Sequence, residues 1–203
     1  MSARILLASS SPRRAEILTQ LGVPFVVVPQ DATELASGTV SPSFGPARLA
    51  RENARRKARA ARTKPRLNDV IVGVDTIVVL GAGVLGKPRD VRESRRMIEA
   101  LSGRTHEVIS AIHLQGRGRA VTLAASTAVS FRRLSAAEVR WYVATGEGSD
   151  KAGAYGIQGM GAALVDRIDG DYYNVVGFPV RAFLSGLARL GLAFPDLWRG
   201  ARA

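Results

Sequence analysis

The 203-residue sequence predicts an α/β fold, with a mixed, twisted sheet flanked by helices. Three observations predict it. An apolar run at 4–8 is followed by helical spacing up to Leu21, the strand–loop–helix order of an α/β unit. Two later pairs of apolar runs, at 70–85 and 106–131, are joined by short Gly-rich turns, so part of the sheet is antiparallel. Helical stretches at 47–63, 90–101 and 135–145 lie between strands and supply the covering layers.

Each element has its local reason. Residues 4–8 form a short apolar run, Ile5 to Ala8 after Arg4, as a buried strand requires. Ser11 suits an N-cap, Pro12 the first helical position, and Gly22 ends the helix whose apolar side is Ala15, Ile17, Leu18 and Leu21. Residues 25–28 form a second strand, and 30–46, rich in Gly, Pro, Ser and Thr, a long loop. After the basic helix at 47–63 comes a strand at 70–80 that only Asp75 interrupts, and Gly81-Ala82-Gly83 turns it back into Val84-Leu85. The two long strands at 106–114 and 120–131 form a hairpin about 115–119, and Ser135 caps the next helix. A Gly-rich loop at 146–161 leads to a strand near 163–168, a turn at Asp169-Gly170 and a last helix after Pro179. No internal repeat is present, and one domain spanning 1–203 is expected.

Composition narrows the chemistry. The absence of cysteine removes disulfides, thiolate nucleophiles and Cys-bearing metal sites, and two histidines cannot build a His-rich metal site. A net charge of +12 favours an acidic partner: a nucleotide, nucleic acid or anionic membrane. The apolar stretch at the N-terminus is too short for a signal peptide and no run is long enough to span a membrane, so a cytoplasmic protein with no membrane partner is expected.

Four features carry candidate chemistry. Ser9, Ser10 and Ser11 with Arg13 and Arg14 stand at a helix start, where hydroxyls, free N–H groups and fixed charge make a phosphate cradle; the alternative is a capped helix with two solvated arginines. Asp75 lies within ten otherwise almost wholly apolar residues, a costly place unless it serves as a catalytic base or metal ligand, or faces water at a strand end. Residues 48–66 hold nine basic side chains against Glu52 alone, +8 of the total, a temptation toward nucleic acid that lacks the aromatics for stacking. In the loop after Asp150, small residues permit close backbone approach, Lys151 supplies charge, and Gln158 offers an amide able to read a base edge.

Two motif matches fail on context. Gly81-Ala82-Gly83-Val84-Leu85-Gly86 has the dinucleotide-binding glycine string but joins two apolar runs, where a hairpin turn fits better than a strand feeding a helix. Its continuation Gly86-Lys87-Pro88 resembles a P-loop, but Pro88 replaces the metal-binding hydroxyl and blocks the helix that should begin there.

Taken together, Ser9-Ser10-Ser11-Pro12-Arg13-Arg14, Gly73-Val74-Asp75-Thr76, Gly86-Lys87-Pro88, Leu101-Ser102-Gly103-Arg104-Thr105-His106 and the segment from Asp150 to Gly159 resemble, in order, the Maf family of nucleotide pyrophosphatases. The resemblance covers about residues 4–180 and implies an elongated single domain similar to the inosine-triphosphate pyrophosphatases, with a central cleft between two lobes. It implies hydrolysis of a free nucleoside triphosphate to the monophosphate and pyrophosphate. Lys151-Ala152-Gly153-Ala154-Tyr155 and Ile157-Gln158-Gly159 resemble the branch acting on dTTP and UTP, with 7-methyl-GTP the alternative. By position, Asp75 is the implied general base; Thr76, Arg13 and Gln158 set substrate choice; Ser9, Arg14 and Lys151 join the substrate site. Glu34 matches an acidic position and, with Asp75, is an implied ligand of a divalent metal (magnesium, manganese or cobalt); Lys87 matches a phosphate-binding lysine. A further lysine falls on Asn53 when aligned from Leu49 and on Lys57 when counted back from Asp75; Lys57 is preferred because the chemistry wants a cation. The competing class is a nucleic-acid-binding module built on the 48–66 helix, and at most weak, non-specific nucleic-acid binding is expected beside the enzyme; a homodimer is allowed.

Overall fold

A computed structural model describes residues 3–36, 41 and 44–197. Its strands are β1 (Ile5–Ala8), β2 (Phe25–Val27), β3 (Val70–Leu80), β4 (Gly83–Leu85), β5 (Thr105–Gly116), β6 (Arg119–Phe131) and β7 (Val165–Asp169). They form one mixed sheet in the order β2-β1-β3-β5-β6-β7, with β4 folded back onto β3. β1 runs parallel to both β2 and β3, while every later pairing is antiparallel. The expected mixed α/β sheet is therefore present, and the glycine string at 81–86 opens in the tight β3–β4 turn, not in a dinucleotide loop.

Helices α1 (Pro12–Gln20), α2 (Pro46–Arg59), α3 (Val91–Leu101), α4 (Ala136–Ala144), α5 (Tyr172–Val176) and α6 (Val180–Arg189) cover the sheet. Alternation along β3 decides what each face meets. Val70, Val72, Val74 and Val78 join the main core with Ile5, Leu7, Phe183 and Leu187, whereas Ile77 and Val79 pack against Ala50 and Ala54 of α2. Small side chains at Ala50, Ala54 and Ala58, one helical turn apart, let α2 lie close on β3. At Gly73 a Cβ would stand 2.2 Å from the Ala54 carbonyl oxygen and 2.6 Å from the Ala58 nitrogen, so only glycine permits that approach.

Several expectations need correction. The basic helix expected over 47–63 ends at Arg59, because the chain then turns to bond Pro29 through the Arg62 N–H and to bridge Gln30 at Ala61. Ser11 caps α1 by position but not with its side chain; the Ser11 N–H instead donates to the Ser9 hydroxyl at 3.2 Å. The loop at 146–161 contains a 3-10 turn at Ala152–Ala154 and leads directly into another at Gly159–Leu164. Helix α5 has no counterpart among the elements expected from the sequence. Of the loop expected over 30–46, residues 37–40, 42 and 43 lie outside the described residues. No helix among the described residues is long and apolar enough to cross a membrane.

Strand register opens the functional cleft. β1 pairs with β3 only as far as Gly73, and β4 takes up the same edge from Val78. Between those points the β3 edge has no strand neighbour among the described residues. Asp75 and Thr76, which point to opposite faces of the sheet, thus both reach one cleft of about 610 Å³.

Candidate active site

The cleft gathers the side chains that the family resemblance implies for catalysis and substrate binding: Ser9 from the β1–α1 turn, Arg13 and Arg14 from the first turn of α1, Asp75 and Thr76 from β3, Lys57 from α2, and Glu34, Lys87, Lys151 and Gln158 from loops. Asp75 is 4% exposed, so it is not a water-facing strand-end carboxylate. Its Oδ1 accepts from Lys57 Nζ at 2.6 Å, and its Oδ2 from Asn53 Nδ2 at 3.3 Å. Lys57 Nζ also lies 2.7 Å from Glu34 Oε1, so one buried ammonium bridges two carboxylates. An isolated buried carboxylate carries a large desolvation cost, which this pairing offsets.

Asn53 and Lys57 are four residues apart on α2 and therefore share a face. Both alignments of the family lysine consequently land on Asp75, but the cation between the carboxylates is Lys57. Asn53 also anchors a loop. Its Oδ1 accepts from the Leu35 N–H at 2.7 Å and its Nδ2 reaches the Leu35 carbonyl at 3.3 Å, which holds the segment carrying Glu34 against α2. Partial desolvation alone would raise the Glu34 carboxyl. The charge and hydrogen bond of Lys57, with Lys87 and Arg14 adding, bring it below its usual range.

The opposite wall is built on Arg14, which is buried instead of solvated. Its Nη1 donates to Ser9 Oγ at 2.8 Å, its Nε to the Gly177 carbonyl at 2.9 Å and its Nη2 to Thr76 Oγ1 at 3.4 Å. Burial pushes the guanidinium down to about 10, opposed by Asp75 and reinforced by Arg13, which leaves it charged at neutral pH. Arg13 sits 3.6 Å from Asp150, and Lys151 Nζ lies 2.6 Å from the same carboxylate while also donating to the Glu147 carbonyl. Lys87 and the Gln158 side-chain amide make no hydrogen bond or ion pair among the described residues, so both are available to a ligand.

Sequence reasoning missed the supports behind this wall. Asn174 of α5 is fully buried: its Oδ1 accepts from the Ser110 N–H, and its Nδ2 donates to the Val108 carbonyl and Thr127 Oγ1. Those bonds pin α5 to β5 and β6 and fix the Gly177 carbonyl that orients Arg14. Its one signal in the sequence was a lone amide in the short run Tyr172-Tyr173-Asn174-Val175-Val176. Ser110 lies opposite Thr76 in the ladder and shares a 2.8 Å hydroxyl contact with it. On the loop side, Tyr155 meets His106 Nε2 at 2.7 Å, and burial pushes that imidazole down to about 4.

Five cations line the cleft (Arg13, Arg14, Lys57, Lys87 and Lys151) against the three carboxylates of Glu34, Asp75 and Asp150. That surplus suits a polyanion with several phosphates. No group of three or more His, Cys, Asp or Glu side chains able to hold a metal occurs among the described residues. Asp75 and Glu34 nonetheless present hard carboxylate oxygens, the donors that suit a cation completed by phosphate oxygens and water.

A family model described as Maf-like protein matches residues 4–190. A dTTP/UTP pyrophosphatase of Symbiobacterium thermophilum is 45% identical over 98% of this chain and 98% of its own length. Proteins of the same name from Deinococcus radiodurans and Bacillus velezensis are 42% and 40% identical, over 94% and 95% of this chain and 94% and 99% of their own.

Proposed function

The chain belongs to the Maf family, and from that premise we propose that it hydrolyses dTTP and UTP to the nucleoside monophosphate and pyrophosphate. The observation that carries the proposal is the buried Asp75–Lys57 pair, joined at the surface by Glu34, which faces a cation-lined cleft of nucleotide size. Asp75 takes a proton from water as the water oxygen bonds to the α-phosphorus. The bond from that phosphorus to the α–β bridging oxygen breaks, and its electron pair leaves with pyrophosphate. Lys57 keeps the Asp75 carboxylate aimed through its 2.6 Å contact. Arg13, Arg14 and Lys87 neutralise the phosphate chain, where most catalytic benefit in phosphoryl chemistry lies.

Asp75 and Glu34 are the side chains that would hold a divalent metal such as magnesium, manganese or cobalt, which supplies Lewis-acid neutralisation of phosphate charge when bound. The free amide of Gln158 reads the pyrimidine edge, with Thr76 and Arg13 shaping the same end of the site. The basic segment at 48–66 supports only weak, sequence-blind contact with nucleic acid. Lys57 turns into the cleft, Arg55 and Arg56 pair with Glu52, and Arg62 pairs with Asp31.

A panel of nucleotides, incubated with a divalent metal and analysed for products, tests the reaction. The expected result is one-step formation of monophosphate and pyrophosphate, fastest with dTTP and UTP. A diphosphate with orthophosphate would place attack at the γ-phosphorus and overturn the proposal, and preference for 7-methyl-GTP would overturn the pyrimidine assignment. The two helix residues separate in the same assay. Lys57→Ala, which strands two carboxylates without their shared cation, should lower kcat/KM by about 100-fold or more, and Asn53→Ala by about ten-fold or less. The reverse order would make Asn53 the functional partner of Asp75.

A further inference from the structure

Glu147 follows α4 and plays no part in the hydrolysis described above, yet its carboxylate collects three hydrogen bonds. Oε1 accepts from the Gly161 N–H at 2.8 Å and from the Tyr142 hydroxyl at 3.2 Å, and Oε2 accepts from the Met160 N–H at 2.9 Å. The Tyr142 oxygen in turn accepts from the Gly156 N–H at 3.2 Å. Both N–H groups bound by Glu147 belong to the first turn of the 3-10 helix that Gln158 caps, and such groups have no partner inside their own helix. The backbone around Gln158 is therefore held on both sides, at 156 by Tyr142 and at 160–161 by Glu147, while the Gln158 side chain stays unbonded.

Glycines record how tightly the clamp closes. Gly159 has a φ of +64°, and a Cβ there would lie 2.6 Å from Glu147 Oε2. At Gly161 a Cβ would come within 1.9 Å of the Gly156 carbonyl oxygen, and at Gly148 within 1.8 Å of that of Ala154. The Glu147 main-chain carbonyl also accepts from Lys151 Nζ, so one residue ties the loop's cation and its amide-bearing turn to the end of α4.

We infer that Glu147 is a positioning residue for base selection, acting by fixing the backbone that aims the Gln158 amide into the cleft. The inference rests on the proposed pyrimidine-triphosphate reading of the site. An amide discriminates between bases only while its donor and acceptor are held in register with the base edge. Releasing the clamp frees Gln158 to meet several bases about equally, without touching Asp75 or the phosphate-binding cations.

The test is a double-mutant cycle of Glu147→Gln and Gln158→Ala, scored as the ratio of kcat/KM for dTTP to that for ATP. Glu147→Gln keeps the side chain's size and one acceptor oxygen but puts an NH2 group where an acceptor is needed. It should lower the ratio by about ten-fold, chiefly through a higher KM for dTTP, with ATP hydrolysis little changed. In the Gln158→Ala background it should lower the ratio no further. Backbone hydrogen exchange of the intact chain should show faster exchange at Met160 and Gly161 in Glu147→Gln, and Tyr142→Phe should give a smaller loss of discrimination in the same direction. An equal fall for dTTP and ATP, or additive effects in the cycle, would overturn the inference. A wild-type protein that hydrolyses no nucleoside triphosphate would instead overturn the reading of the site on which it rests.

Discussion

Asp75→Asn should lower turnover of dTTP by about 10²-fold or more while the chain remains folded, with Tm reduced by only a few degrees. The two halves of that expectation have separate physical origins. Amide and carboxylate have the same shape, and an Asn oxygen can still accept from Lys57 Nζ, whose charge Glu34 continues to balance at 2.7 Å. What the amide disturbs is the Asn53 contact, at 3.3 Å the longest of the cluster. The main loss is chemical, because an amide cannot take a proton from water. The check pairs steady-state turnover with thermal unfolding on the same preparation. A folded variant that keeps most of its activity would make Asp75 a structural partner of Lys57 and remove the base from the mechanism.

How far this site was legible in the sequence depends on the kind of residue. Asp75 was legible because a carboxylate inside an apolar strand demands an explanation, and burial gave it one. Ser9 and Arg14 were legible as a helix-start pair. Their actual arrangement, with the arginine folded back onto the serine hydroxyl and a carbonyl 163 residues away, was not. Periodicity located the long strands well because β3, β5 and β6 pair over many residues and leave little freedom of register. Helix α5 was invisible for the opposite reason: five residues carry too few repeats to show a period, and tertiary hydrogen bonds to Asn174 hold it. The end of α2 was overestimated because Arg and Ala after residue 59 favour helix, while a long-range bond from Arg62 to Pro29 draws the chain away. Glu147 was missed because an acidic residue in a Gly-rich loop looks solvated until its three partners are known.

Gly73→Ala should be strongly damaging although it lies outside the catalytic cluster, and it acts through α2. The added methyl would meet the Ala54 oxygen at 2.2 Å and the Ala58 nitrogen at 2.6 Å, and both belong to helix backbone, which cannot rotate aside as a side chain would. The helix must therefore move off the strand. Overpacking of this kind costs about 1–3 kcal/mol, and for a chain of this length the expected fall in Tm is about 2–12 °C. Activity should fall further than stability alone accounts for, because Lys57 and Asn53 ride on the same helix. A shift of about 1 Å lengthens the 2.6 Å contact between Lys57 and Asp75 beyond hydrogen-bonding range, and misplacement on that scale costs about 10²-fold in turnover. Gly83→Ala is the control, since its methyl would meet only the Leu80 oxygen at 3.5 Å, an ordinary contact. Ala58→Gly added to Gly73→Ala should rescue little, because it removes the 2.9 Å methyl contact and leaves both backbone clashes in place. A Gly73→Ala protein with wild-type Tm and turnover would show that α2 can stand farther from β3 without cost, and that the spacing of Lys57 from Asp75 is set elsewhere.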